Sequence, residues 1–243
     1  MSVIKTIDLT KNYKNLTAVD KLNIEVNEGE LFALLGVNGA GKTTTVKMLA
    51  TLTRPDGGDA FVCGHSIVKE RDKVRGLIDI SMQETAIARK LTVRENLEFY
   101  AKLKGFDRQT IKEKVDAIFN AFGFDKVAEK YAAKLSGGWQ RKLSIALALI
   151  SEPKVLFLDE PTLGLDVIAR RELWAVIEKL KEKTTIVLTT HYMEEAEALA
   201  DVIAVMKDGR LLFIGNKEKM FEATGKRSVE DAFIELVTKD GAL

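Results

Sequence analysis

The run Gly36-Val37-Asn38-Gly39-Ala40-Gly41-Lys42-Thr43 sets glycines, a lysine and a hydroxyl at the spacing that cradles a nucleoside triphosphate. Glycines let the backbone curve into a concave loop, so that N–H groups from Gly36 through Asn38, Gly39, Ala40 and Gly41 to Thr44 face phosphate oxygens. Lys42 then brings a cation to the β- and γ-phosphates, and Thr43 offers a hydroxyl to Mg²⁺. A second chemical cluster follows at Val155-Leu156-Phe157-Leu158-Asp159-Glu160, an apolar run that delivers two acids at its tip. Asp159 suits a Mg²⁺ ion, held directly or through water, and Glu160 suits orienting and deprotonating the water that attacks the γ-phosphate. Taken singly, each cluster has a plainer reading: a glycine turn between strand and helix, and an acidic helix cap.

The elements around these clusters have to bring them together. Leu31 to Leu35 reads as a buried strand running into the glycine loop, and Thr44 to Leu49 as a helix whose positive end faces the phosphates. Val3 to Leu9 and Ala18 to Val26 alternate apolar and polar residues around a turn-like Lys11-Asn12-Tyr13-Lys14-Asn15, which predicts antiparallel strands near the N-terminus. Arg54-Pro55-Asp56-Gly57-Gly58-Asp59 reads as a turn, and Ile78 to Met82 as a short strand ending at Gln83. From Thr92 to about Ala128, Val93, Leu97, Tyr100, Ala101 and Leu103, then Ile111, Val115, Ile118, Phe119 and Phe122, recur at helical spacing. That predicts a helical lobe inserted in an α/β domain. Ser136 opens another helix that ends before Pro153, Val155 to Leu158 and Thr185 to Thr189 read as buried strands, and Val167 to Lys181 as an amphipathic helix. Val202 to Met206 and Leu211 to Gly215 flank the hairpin turn Asp208-Gly209, and Ser228 to Val237 reads as a terminal helix. Alternating strand and helix imply a mostly parallel sheet.

Composition narrows the setting. The 243 residues are 46% hydrophobic, enough for one large domain with a full core and an inserted lobe. Lys and Arg number 37 against 36 Asp and Glu, a formal net charge of +1, so no whole-molecule field draws the chain to nucleic acid or anionic lipid. The single Cys63 cannot close an intramolecular disulfide, and His65 and His191, the two histidines, form no metal-binding set with it. His65 reads as a loop residue. Met1-Ser2-Val3-Ile4-Lys5 shows no signal-peptide pattern, and the apolar block Ile145 to Ile150 is far below the roughly 20 residues of a membrane-spanning helix.

Leu135-Ser136-Gly137-Gly138, standing between the glycine loop and the acid pair, completes a resemblance to the ATP-binding cassette subunits of ABC transporters. Small-molecule kinases and GTPases with a similar phosphate loop do not require that sequence. The resemblance covers almost the whole chain. It implies an α/β P-loop NTPase core, with a mostly parallel sheet, an N-terminal antiparallel β subdomain and an inserted α-helical subdomain. The single domain 1–243 would divide into a core of 1–83 and 151–243 and a helical lobe of about 84–150.

The resemblance further implies ATP and Mg²⁺ as cofactors and a sandwich of two cassettes, as a homodimer or a related heterodimer. Ser136, Gly137 and Gly138 of one copy would contact the γ-phosphate bound on the other; a helix N-terminus with flanking glycines suits that contact. Tyr13 resembles the aromatic that stacks on adenine, and Gln83 the glutamine that reaches Mg²⁺ and the attacking water. Asp166, in Leu163-Gly164-Leu165-Asp166, resembles the polar contact of the loop crossing the dimer interface, and His191 the histidine that senses the γ-phosphate. Trp139 departs from the frequent Leu-Ser-Gly-Gly-Gln pattern, so the amide's ribose contact does not carry over, although an indole there suits packing on sugar or on the opposing copy. Gln140 is one place late.

An integral membrane permease subunit is the implied partner, docking near Gln83 to Lys90 and the adjoining lobe, with no nucleic acid expected. The protein would then be cytoplasmic and peripheral on the inner face of the membrane. Export is favoured by the short stretch after Gly215 and by Leu91-Thr92-Val93-Arg94-Glu95-Asn96-Leu97, while the cargo stays open. Two other readings are a soluble ABC ATPase acting on DNA or ribosomes, and a regulatory scaffold that binds ATP without rapid turnover.

Overall fold

Leu31, Phe32, Ala33, Leu34 and Leu35 are all fully buried, because the strand they form is covered on both faces. Leu31, Ala33 and Leu35 join one hydrophobic core, and Phe32 and Leu34 join another on the opposite side. The computed structural model describes residues 1–239. It opens with β1 (Ser2–Tyr13), β2 (Leu16–Leu22), β3 (Glu25–Asn27) and β4 (Leu31–Leu35), then α1 (Lys42–Leu49), β5 (Gly57–Val62), β6 (His65–Ser66), α2 (Arg71–Arg75) and β7 (Ile78–Ser81). The inserted segment holds α3 (Val93–Leu103), α4 (Arg108–Phe122) and α5 (Gly137–Leu149). The chain returns through β8 (Val155–Asp159), α6 (Val167–Leu180), β9 (Thr185–Thr190) and α7 (Met193–Leu199), and continues with β10 (Val202–Lys207), β11 (Arg210–Gly215), α8 (Lys217–Thr224) and α9 (Val229–Lys239).

Two sheets result. The larger runs β11-β10-β4-β9-β8-β7, parallel except for the β10–β11 hairpin, and the smaller antiparallel sheet runs β2-β1-β5-β6 with β3 on β1. Register in the parallel sheet decides where function gathers. Leu35 lies opposite Thr190, Asp159 opposite Thr189, and Ser81 opposite Leu158. The residues that follow those strands, beginning at Gly36, His191, Glu160 and Met82, therefore emerge side by side at one carboxyl edge.

The helical segment forms as its periodicity predicts, with its ends fixed by local chemistry. Thr92 and Glu95 make a reciprocal capping box on α3, Asp107 caps α4, and Gly123 ends α4 in the left-handed conformation. The buried Asn96 amide donates to the carbonyls of Ala88, Leu91 and Thr92 and accepts from the Ala88 amide, which holds the preceding loop against α3. Among the described residues no helix is long and apolar enough to cross a membrane.

Several local expectations change. The turn read at Lys11-Asn15 narrows to Lys14-Asn15, because Tyr13 pairs directly with Leu16 and Lys14 takes a positive φ of 49°. Ala18 to Val26 is split into β2 and β3, which pair with different parts of β1. Gly57-Gly58-Asp59 belongs to β5 rather than to a turn. Its partner β1 shifts register between Ile7 and Thr10, and Gly58, at φ +70°, lies where a Cβ would stand 2.3 Å from the carbonyl oxygens of Ile7 and Asp8. His65 sits in the short β6, where Nδ1 lies 3.3 Å from Glu70, and is not in a loop. Helices α2, α7 and α8 have no counterpart in the sequence-based reading.

Candidate functional site

The glycine loop links the end of β4 to α1, and its geometry explains its residue types. A Cβ on Gly36 would stand 2.5 Å from the Met206 carbonyl oxygen, and one on Gly41, at φ +100°, 2.4 Å from that of Ala18. The loop is thus squeezed between β10 and β2, where only glycine fits at these two positions. Lys42, buried at 5% exposure, folds back to donate to the carbonyls of Gly36 at 2.7 Å and Val37 at 3.2 Å.

Two carboxylates meet this loop from the tip of β8. Asp159 is fully buried, and both of its oxygens face the Thr43 hydroxyl, at 2.9 and 3.1 Å. The Thr189 hydroxyl donates to Asp159 at 2.6 Å and accepts from the Glu160 amide at 3.0 Å, so one side chain of β9 orders both acids. Glu160 has a left-handed backbone, φ 48°, unusual for a residue with a side chain. Its two oxygens divide their contacts: one lies 3.3 Å from Lys42 Nζ and the other 2.8 Å from His191 Nδ1. The acids consequently point in different directions, Asp159 toward the hydroxyl of α1 and Glu160 toward the lysine and histidine.

Tyr13, Asn38 to Thr44, Gln83, Glu160 and His191 line one cleft of about 370 Å³, with Asp159 buried below Thr43. Tyr13 is half exposed at the rim, with the Lys11 ammonium 5.3 Å from its ring centre. Ser136, Gly137, Gly138 and Asp166 do not line that cleft. Ser136 is the N-cap of α5 yet makes no side-chain capping bond, leaving its exposed hydroxyl uncommitted to its own helix. Gly138 packs so closely on α6 that a Cβ there would stand 3.1 Å from the Ala169 methyl. Asp166 caps α6 by accepting from the Ala169 amide at 2.9 Å, a structural task that the motif reading did not anticipate. Trp139 packs inward: its ring lies 5.9 Å from that of Phe124, with the Lys142 ammonium 4.7 Å away. Gln140 donates to the carbonyls of Ala132 and Leu135, bracing the approach to Ser136.

Other contributors lack a motif. Thr189 is one of three threonines in β9, and only its register opposite Asp159 reveals its task. Glu195 on α7 is fully buried and accepts from the Trp174 indole at 3.0 Å, and burial pushes its carboxyl above the usual range. The Thr43 hydroxyl and the Asp159 carboxylate form a hard oxygen pair beside the phosphate loop, which fits Mg²⁺ completed by phosphate oxygens and water. Among the described residues no group of three or more His, Cys, Asp or Glu converges as a protein-only metal cage.

Known proteins resemble this chain in sequence and fold. The model of the family described as ABC transporter matches residues 19–163. The chain is 40% identical over 223 residues to the daunorubicin/doxorubicin resistance ATP-binding protein DrrA of Streptomyces peucetius, covering 91% of this chain and 68% of that protein. It is 44% identical over 203 residues to the human phospholipid-transporting ATPase ABCA3, which spans 84% of this chain and 12% of that much longer protein. Among solved structures, cbiO1 from Clostridium perfringens, part of the ABC transporter complex cbiONQ, superposes with a TM-score of 0.84 at 29% identity, over 91% of each chain. The structure of an ATP-binding subunit of an ABC transporter gives 0.85 at 26% identity, over 97% of this chain and 99% of that one. With the phosphate loop, the acid pair and the histidine assembled at one sheet edge, and with these matches, the chain belongs to the ABC transporter family as an ATP-binding, ATP-hydrolysing subunit.

Proposed function

We propose that this subunit drives export through a separate membrane protein by closing on a second cassette around MgATP and reopening after hydrolysis. The observation that carries the catalytic part is the contact chain Lys42–Glu160–His191 beside Thr43–Asp159. ATP seats its phosphates on the amides of residues 36–44, with Lys42 at the β- and γ-phosphates and Tyr13 under the adenine. Thr43, Asp159 and Gln83 would hold Mg²⁺, which would supply charge compensation to the phosphates. Glu160 orients and deprotonates the attacking water, and His191 holds the carboxylate from its far side and meets the γ-phosphate.

Ser136, Gly137 and Gly138 of the facing copy close the clamp, and Asp166 lies at the crossing loop. The uncommitted Ser136 hydroxyl and the exposed Gly137 support that reading, since a serine serving only its own helix would cap it. Val167 and Ile168 beside this loop are 65% and 73% exposed, an apolar surface that suits a second copy. The loop after Gln83 is ordered by Asn96 and by the Tyr100 hydroxyl, which donates to the Ala86 carbonyl at 2.6 Å. Phe99 and Leu103 are exposed next to it, which suits docking of a membrane subunit. Similarity to a daunorubicin/doxorubicin resistance ATP-binding protein favours export over uptake.

Sedimentation tests the clamp. MgATP is expected to shift Glu160→Gln from monomer to dimer, and adding Ser136→Arg is expected to abolish the shift while leaving nucleotide binding intact. A dimer that forms equally well with Ser136→Arg contradicts the proposed contact.

A further inference from the structure

Arg141 lies one turn into α5 beyond Ser136 and is 4% exposed, a buried cation on a helix whose other inward residues include Leu143, Ile145 and Ala146. All five of its N–H donors end on backbone carbonyls. Nε donates to Pro161 at 2.6 Å, Nη1 to Met82 at 2.6 Å and Gln83 at 3.1 Å, and Nη2 to Asp159 at 3.2 Å and to Glu160. These carbonyls belong to two separate segments, the turn after β7 that carries Gln83 and the turn after β8 that carries Glu160. A planar guanidinium spans both at once because its donors are fixed in a fork; an ammonium cannot cover that spread. Three of the bonds hold consecutive residues 159–161, the place where Glu160 takes its left-handed backbone. A second tie, Ser81 Oγ to Ser144 Oγ at 3.0 Å, fastens the same helix to β7.

We propose that Arg141 is a positioning residue for ATP hydrolysis: it locks the Glu160 turn and the Gln83 turn to the helix that begins at Ser136, so that the helix end and the general base move as one piece. The inference rests on the roles of Glu160 and Ser136 proposed above. Among the described residues Arg141 touches no carboxylate oxygen, and it does not line the nucleotide cleft, so it acts through backbone placement. Burial works against its charge, while the nearby Asp159, Glu195 and Glu160 carboxylates work in its favour.

The test uses the full chain and counts sites by titration with a fluorescent ATP analogue, so that turnover is expressed per nucleotide-binding site. Arg141→Lys keeps the charge and loses the fork; Arg141→Gln loses both. A misplacement of the base by about an ångström costs on the order of 100-fold in rate. Arg141→Gln is therefore expected to lose about 100-fold in kcat per site and Arg141→Lys about 10-fold, a partial rescue, with KM changed less than about threefold in either. Turnover per site within twofold of wild type in Arg141→Lys overturns the proposal, as does loss of nucleotide binding in that variant, which would make Arg141 a folding residue. Should Arg141→Gln not fold, Arg141→Lys decides by the same criteria. Glu160→Gln measured alongside separates the two ideas. Full turnover there removes the role of Glu160, whereas lost turnover there with normal turnover in Arg141→Lys removes only the link.

Discussion

Replacing Glu160 by glutamine isolates the chemical step from nucleotide binding. The carboxylate oxygens lie 3.3 Å from Lys42 Nζ and 2.8 Å from His191 Nδ1, and both Glu160 and Lys42 are nearly buried. At an effective dielectric near 20, a charge pair at that separation has a gross attraction of about 5 kcal/mol, much of which desolvation offsets. Glutamine keeps the shape and one oxygen acceptor but removes the negative charge, and with it the competition between carboxylate and phosphate for Lys42. Nucleotide affinity is therefore expected to hold within about threefold or to rise, while loss of the base lowers turnover by about 10² to 10⁴. That range corresponds to about 2.7–5.4 kcal/mol of activation free energy. Steady-state phosphate release at saturating MgATP measures turnover, and equilibrium titration with a fluorescent ATP analogue measures affinity. Lys42→Ala is the contrast, since it is expected to weaken binding itself. Turnover of Glu160→Gln within twofold of wild type would refute the assignment, and so would a parallel collapse of binding and hydrolysis.

Two further outcomes follow from the packing. Gly58→Ala forces a Cβ against the Ile7 and Asp8 carbonyls at a positive φ, so equilibrium denaturation should show a loss of about 2–4 kcal/mol, with nucleotide affinity of the folded protein unchanged; a loss below about 1 kcal/mol would show that the bulge does not depend on glycine. Burial raises the Glu195 carboxyl above its ordinary value of 4.5, so the folded chain holds its proton more tightly than the unfolded chain, and this group costs stability as pH rises above that value. Glu195→Gln should accordingly melt at a higher temperature than wild type at pH 7 to 8, with the gap narrowing as pH falls toward 4.5. A gap independent of pH would mean that the carboxyl titrates alike in both states.

How far the sequence could be read depended on how far apart the interacting residues stand along the chain. The glycine loop with Lys42 and Thr43, the acid pair after β8, the long helices and the Asp208-Gly209 hairpin were legible because each is specified by neighbours within a few positions. Gly57-Gly58 misled because the same residue types serve a turn and a bulged strand, and only the carbonyls of β1 distinguish the two. Asp166 illustrates a shared residue: its motif suggested an interface contact, and the structure adds a helix cap made by the same side chain. Trp139 was open to packing on a sugar or a second copy, and the fold adds a contact between its ring and that of Phe124.

By itself the sequence determined the phosphate-binding chemistry, since glycine, lysine and hydroxyl spacing dictates which groups a loop can present. Tertiary structure alone decided that Thr43 meets Asp159, 116 positions away, that Thr189 orders both acids, and that Arg141 ties two strand ends to one helix. The reason is geometric. Parallel strands bring remote carboxyl ends to one edge in a register set by burial on both faces, and no local pattern in the chain encodes which ends become neighbours.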